Sequence, residues 1–114
     1  MARDFSVDVE LNAGAAAVVC SGDIDLATCD QIEDAVDQCF AAGPPVGLTV
    51  DMRSVTFIDS TGLRCLLAIA GRCEEAGLVL RVVAGAPVTR VFDLVGFPHV
   101  TPRVEVERVS DTGT

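Results

Sequence analysis

Lysine, tryptophan and tyrosine do not occur in this 114-residue chain, and histidine occurs once, as His99. All eight basic residues are arginine and face 17 acidic ones, for a formal net charge of −9. Nucleic-acid backbones are gripped by clustered cations, and helices that lie on anionic membranes need a basic face. Neither surface is written here, so no nucleic acid and no membrane is expected as a partner. A single histidine makes a Ser-His-Asp triad or a His-dependent metal site hard to assemble. No Cys-x-x-Cys occurs among the five cysteines, which excludes a zinc ribbon and a thioredoxin-type site. No metal site and no cofactor of the chain's own is expected. Long apolar runs are missing too: stretches such as Leu66 to Ala70 are the length of one element, against the ~20 residues that span a bilayer. The opening, Met1 to Glu10, alternates and carries acids, unlike a signal peptide. A cytoplasmic protein is expected.

What is present is one domain's worth of core. Half the residues are hydrophobic, and 114 residues suit a single domain over 1–114, its core at about 5–109 and residues 110–114 a frayed tail. The acid is uneven. Residues 1–51 carry ten acidic side chains against Arg3 alone, whereas residues 52–114 carry seven against seven. Such a protein fits a protein partner with a basic patch.

Phe5 to Leu11 alternates with the period of a half-buried strand. Asn12-Ala13-Gly14 has turn chemistry and Ala15 to Ser21 reads as a second strand, so the chain opens with a hairpin. Gly22 to Asp25 breaks that strand, and Thr28 followed by Gln31 has the spacing of a capping box at a helix start. Cys29, Ile32, Val36, Cys39 and Phe40 form the helix's apolar stripe, which Gly43-Pro44-Pro45 stops. Val46 to Asp51 reads as a central strand buried on both faces. A short polar connection leads to Val55–Ile58 and to a helix whose inner face is Leu63, Leu66, Leu67, Ala70 and Cys73, ending at Gly77. Val79 to Ala84 is a further strand, Pro87 opens a short helix through Leu94, and Val100 to Val109 is a last extended segment. Strands alternating with helices after a hairpin predict an α/β fold: a mixed sheet of four to five strands packed with about three α-helices.

Two readings of the cysteines stand. Cys20, Cys29 and Cys39 fall on apolar positions, which suits small hydrophobes in a reduced core. Cys65 and Cys73 lie on different faces of one helix, which leaves open the exposure of at least one of them and a redox-sensing disulfide.

The chemistry concentrates in Asp51 to Leu63. This stretch brings acids, a serine and a threonine to a helix N-terminus, where unpaired N–H groups and the positive end of the dipole gather. Asp59 or Ser60 can cap that helix, and Gly62 lets another backbone come close with no Cβ in the way. Capping alone would account for Asp59, Ser60 and Thr61.

The pattern Asp51-x-x-x-Val55-x-Phe57-Ile58-Asp59-Ser60-Thr61-Gly62-Leu63 resembles the signature of the STAS domain (sulfate transporter and anti-sigma factor antagonist), whose stand-alone bacterial form is the anti-sigma factor antagonist. Gly22-Asp23-Ile24-Asp25-Leu26-Ala27-Thr28 resembles the family's loop before its first helix, and Pro87 to Phe97, with Phe92-x-Leu94-x-Gly96, its late helix. The likeness spans about residues 5 to 100. It implies a partner-switching protein that is not an enzyme. The unphosphorylated form binds an anti-sigma factor with serine-kinase activity and frees the sigma factor. The kinase phosphorylates the serine after the motif's aspartate, here Ser60, with Thr61 the second choice, and a PP2C-type phosphatase resets it. ATP and metal belong to those partners. Asp23, Asp25, Thr28, Asp59, Ser60, Thr61, Gly62 and Leu63 are the expected partner-binding positions, with helix capping the alternative role for Asp25 and Thr28. Asp93, on the late helix, reads as a solvated charge. Family members often end in a further helix, whereas Val104 to Val109 alternates like a strand.

Two other functions compete. A hydrolase with Ser60 as nucleophile lacks a base, since His99 is far along the chain and no Gly-x-Ser-x-Gly elbow exists. A STAS scaffold or sensing module of a larger signalling complex, with a redox overlay from the cysteines, is the stronger alternative.

Overall fold

The computed structural model describes residues 5–97 and 104–109. In chain order the elements are β1 (Ser6–Asn12), β2 (Ala15–Ile24), α1 (Leu26–Phe40), β3 (Leu48–Ile58), α2 (Ser60–Glu75), β4 (Leu80–Ala84), α3 (Ala86–Val95) and β5 (Val104–Arg108). The five strands form one sheet in the order β1-β2-β3-β4-β5. β1 and β2 are antiparallel and the other pairs parallel. The α/β class, the mixed sheet and the three helices are as the pattern predicts. Ala13 and Gly14 both take positive φ (54° and 85°), the backbone that a two-residue hairpin turn requires. The residues before Phe5, the loop containing His99 and the tail at 110–114 lie outside the described residues.

Because strand order follows chain order, right-handed crossovers put all three helices on the same face of the sheet, and burial agrees. Ala16, Leu48 and Leu80 stand in one row of the register and Val18, Val50 and Val82 in the next, all inside a single core cluster. That cluster also takes Ile32 and Val36 from α1, Leu66 and Ile69 from α2, and Val88 and Phe92 from α3. On the opposite face the matching rows are Ala17-Thr49-Arg81-Glu105 and Val19-Asp51-Val83-Glu107, largely polar and open. This corrects the two-sided burial expected for Val46 to Asp51. Val46 lies outside β3 and is 78% exposed, while Leu48 and Val50 point inward and Thr49 and Asp51 outward. Among the described residues no helix covers the second face.

Two breaks expected in strands are absorbed instead. β2 continues through Gly22 and Asp23 to Ile24, with register shifts at Val19/Ser21 and Gly22/Asp23 and a φ of 102° at Gly22. β3 runs unbroken through Arg53 and Ser54 to Ile58, because β2 pairs with it along that whole length. The inner stripe of α2 is Gly62, Cys65, Leu66, Ile69, Ala70 and Cys73. Leu67, placed inside by the sequence, is exposed: it sits about 100° around the helix from Leu66 and faces out. Leu63 is half-buried against the core, as is Phe40, which lies under the Arg72 guanidinium at 4.5 Å. Asp93 is exposed, as expected of a solvated charge, and is paired as well. It accepts a hydrogen bond from Arg108 of β5 at 2.6 Å, and that guanidinium holds its carboxyl below the usual carboxylate range.

All five cysteines are free and buried. Exposure of Cys65 or Cys73, left open by the sequence, does not occur, because α2 packs against both α1 and the sheet, which buries a wide arc of it. Burial, with the Asp51 carboxylate adding, pushes the Cys20 thiol up to about 12; burial pushes Cys73 to about 11. A thiol raised in the folded state favours folding fully below its ordinary value of 9.0, and the contribution is lost as pH climbs through the folded value. The melting temperature is therefore expected to fall as pH rises from about 9 towards 12. At neutral pH, Ellman's reagent should react only as fast as the protein opens, whereas all five thiols should react at once in guanidinium. Rapid reaction of one thiol in the native protein would contradict the burial.

Candidate functional site

β2 and β3 end side by side, with Asp23 opposite Phe57 and Ile24 opposite Ile58. Each strand turns into a helix within a residue, so two helix N-termini with their unpaired N–H groups stand together at the C-terminal ends of two inner strands. An aspartate caps each. Asp25 Oδ1 accepts from the N–H of Ala27 (2.9 Å) and of Thr28 (3.2 Å), and the Asp25 N–H donates to Thr28 Oγ1 at 2.9 Å. The capping box is thus Asp25 with Thr28, not Thr28 with Gln31, and α1 begins at Leu26. The reason is that β2 runs to Ile24, so Asp25 is the first residue free to take cap geometry. Asp59 Oδ1 accepts from the Gly62 N–H at 2.9 Å and caps α2.

The two turns are tied to each other. The Asp59 N–H donates to the Ile24 carbonyl at 3.3 Å, the Thr56 hydroxyl to Asp23 Oδ1 at 2.7 Å, and the Thr28 hydroxyl to the Asp23 carbonyl at 3.1 Å. Gly62 is pressed into the junction: a Cβ there would lie 2.7 Å from Ile24 Cγ2, 2.9 Å from Ile58 Cγ1 and 3.0 Å from the Ile24 carbonyl oxygen. The close approach expected of this glycine is what the structure shows.

Ser60, the first residue of α2, is exposed, while Thr61 is half-buried and faces a groove between α1 and α2. Asp23, Asp25, Thr28 and Asp59 are half-buried around it. The structure therefore gathers Asp23, Asp25, Thr28, Asp59, Ser60, Thr61 and Gly62 into adjoining turns. Leu63 is set apart, packing inward on the core. The sequence reading missed Thr56, whose hydroxyl fastens Asp23, and two large apolar side chains in these turns, Leu26 (75% exposed) and Phe57 (48%). Alternation counted from the inward Val55 would bury Phe57; the register shift that pairs Gly22 with Val55 and Asp23 with Phe57 turns Phe57 out and Ile58 in.

Residues 7–102 match the family model described as Mlab, STAS domain. The chain belongs to the STAS domain family. As a STAS domain it is 33% identical over 86 residues to the anti-sigma-F factor antagonist RsfB of Mycobacterium tuberculosis, a match covering 75% of this chain and 69% of the relative. Its fold superposes on an anti-sigma factor antagonist from Mycobacterium paratuberculosis with a TM-score of 0.76 at 28% identity, covering 90% of this chain and 86% of the other. SpoIIAA in its unphosphorylated form shares the fold, with a TM-score of 0.68 at 17% identity over 89% and 87% of the two chains.

Adding a methyl group at Gly62 of this STAS domain should force α2 away from Ile24. Gly62→Ala is expected to lose about 1–3 kcal/mol in a denaturant titration. Asp25→Ala, which removes a cap, should lose about 1 kcal/mol. Unchanged stability in Gly62→Ala would show that the junction gives way freely.

Proposed function

We propose that this STAS domain is an anti-sigma factor antagonist of the partner-switching kind, a binding module without catalysis of its own that works in the cytoplasm. Unphosphorylated, it binds an anti-sigma factor with serine-kinase activity and so releases a sigma factor. Phosphorylation of Ser60 by that kinase ends the binding, and a PP2C-type phosphatase restores it. The relatives and structural neighbours named as anti-sigma factor antagonists support the class of partner.

The observation that carries the reading is the setting of Ser60: exposed, at the first position of α2, on a turn cross-tied to its neighbour. A phosphate adds about −1.5 to −2 charge. The α2 dipole and its N-terminal N–H groups tolerate that charge locally, so the domain stays folded. The surface does change. Asp59 precedes the position directly and Asp23 and Asp25 stand in the adjoining turn, and the added charge and bulk turn a face shaped for a partner into one that repels it. Leu26 and Phe57 give this face apolar contact area at the same strand ends. A tenfold loss of affinity takes only about 1.4 kcal/mol. Thr61 is the poorer acceptor, being half-buried with its side chain turned to the groove.

The test is intact mass and site mapping after incubation with ATP and anti-sigma kinases from the same organism. One phosphate is expected on Ser60, abolished in Ser60→Ala. Ser60→Ala should bind the kinase constitutively and Ser60→Asp at least about tenfold more weakly than the unmodified protein. A folded protein that no such kinase modifies would favour a scaffold within a larger complex. A Ser60→Asp variant that binds undiminished would remove the electrostatic switch.

A further inference from the structure

In the groove between α1 and α2 sits a side-chain cluster that partner switching does not use. Cys29 and Glu33 are four residues apart on α1 and share a face of that helix, and Cys65 meets them from α2. The sulfur atoms of both cysteines and a carboxylate oxygen of Glu33 all lie within 4.8 Å of one another. Cys65 Sγ stands 4.0 Å from Glu33 Oε2 and 3.7 Å from the Cys29 carbonyl oxygen. Both thiols are buried and Glu33 is exposed, so the cluster opens on the groove, which Asp30, Thr61 and Arg64 also line. Among the described residues it is the one grouping of three such ligands.

We propose that Cys29, Glu33 and Cys65 form a binding site for a thiophilic divalent cation of the zinc class, with a fourth coordination position open to the groove. Around tetrahedral zinc the sulfur atoms stand ~3.8 Å apart, and sulfur and oxygen ~3.5 Å apart. Closing from the observed spacing takes side-chain movements of about 1 Å. Two sulfurs and one carboxylate suit this ion class and leave magnesium and calcium, which take oxygen ligands, poorly served. The local field favours a cation, for Glu33, Asp30 and Asp59 all bear on Cys29, and Glu33 on Cys65. Binding the cation deprotonates both thiols. Two sulfur–metal bonds form, two S–H bonds break, and two protons pass to solvent. The loaded site carries one net negative charge, beside Arg64. Bound metal would staple α1 to α2 five residues from Ser60, about 7.5 Å along the helix.

The test is titration of the reduced, full chain with Co(II). One equivalent should produce a thiolate-to-cobalt charge-transfer band and the visible bands of a tetrahedral ion, both removed by Zn(II). The bands should vanish in Cys29→Ser and in Cys65→Ser and persist in Cys39→Ser and Cys73→Ser. Glu33 is exposed, so Glu33→Gln should fold normally, and it is expected to weaken Co(II) binding about tenfold or more. Absence of saturable binding, binding without a charge-transfer band, bands that survive in Cys29→Ser, or unchanged affinity in Glu33→Gln would each overturn the proposal.

Discussion

The structure depends on the absence of one Cβ. Gly62 lets the first turn of α2 press against the ends of both β2 and β3, at distances no larger side chain would allow. Because it does, α2 can begin directly after β3, and the Asp59 N–H reaches the carbonyl of Ile24 on the neighbouring strand. That contact joins two turns that would otherwise be separate surface loops. Thr56 and Thr28 then fasten Asp23 from either side, its carboxylate by one hydroxyl and its carbonyl by the other. The result is a rigid ledge with Ser60 at its lip. A group added to an exposed side chain on such a ledge alters the surface and leaves the backbone beneath it in place.

Much of this was legible in the residues. The hairpin at Ala13-Gly14, the order of strands and helices, the cap at Asp59 and the tight approach at Gly62 all follow from local chemistry. Three things did not. The start of α1 is set by how far β2 stays paired, and both Asp25 and Thr28 have capping side chains, so the sequence offers two starts where pairing leaves one. The one-sided burial of β3 follows from the handedness and order of the crossovers and cannot be read within the strand. The burial of both Cys65 and Cys73 depends on α1 packing across α2, which a helical wheel of α2 alone does not contain. Local rules placed the site; its walls came from elements remote in the chain.

The acidic half of the molecule also acquires a meaning. Asp25 and Asp59 are held at helix starts, where the backbone favours negative charge, and Asp23 stands beside them at the end of β2. Two of them spend part of their hydrogen-bonding capacity on caps. The fold thereby keeps carboxylates together around Ser60 without a matching cluster of bases.

The strand order has a consequence for how the protein comes into being. In the sequence β1-β2-β3-β4-β5 every new strand joins the edge left by the one before, and none has to insert between two strands already paired. A chain emerging from the ribosome can therefore build its sheet in the order of synthesis. The junction of Ile24, Ile58 and Gly62 is complete once α2 has emerged, while β4, α3 and β5 are still to come. The junction is in place before the sheet is complete, and β4 then joins β3 along Leu48 to Met52, short of the strand end that carries Ile58.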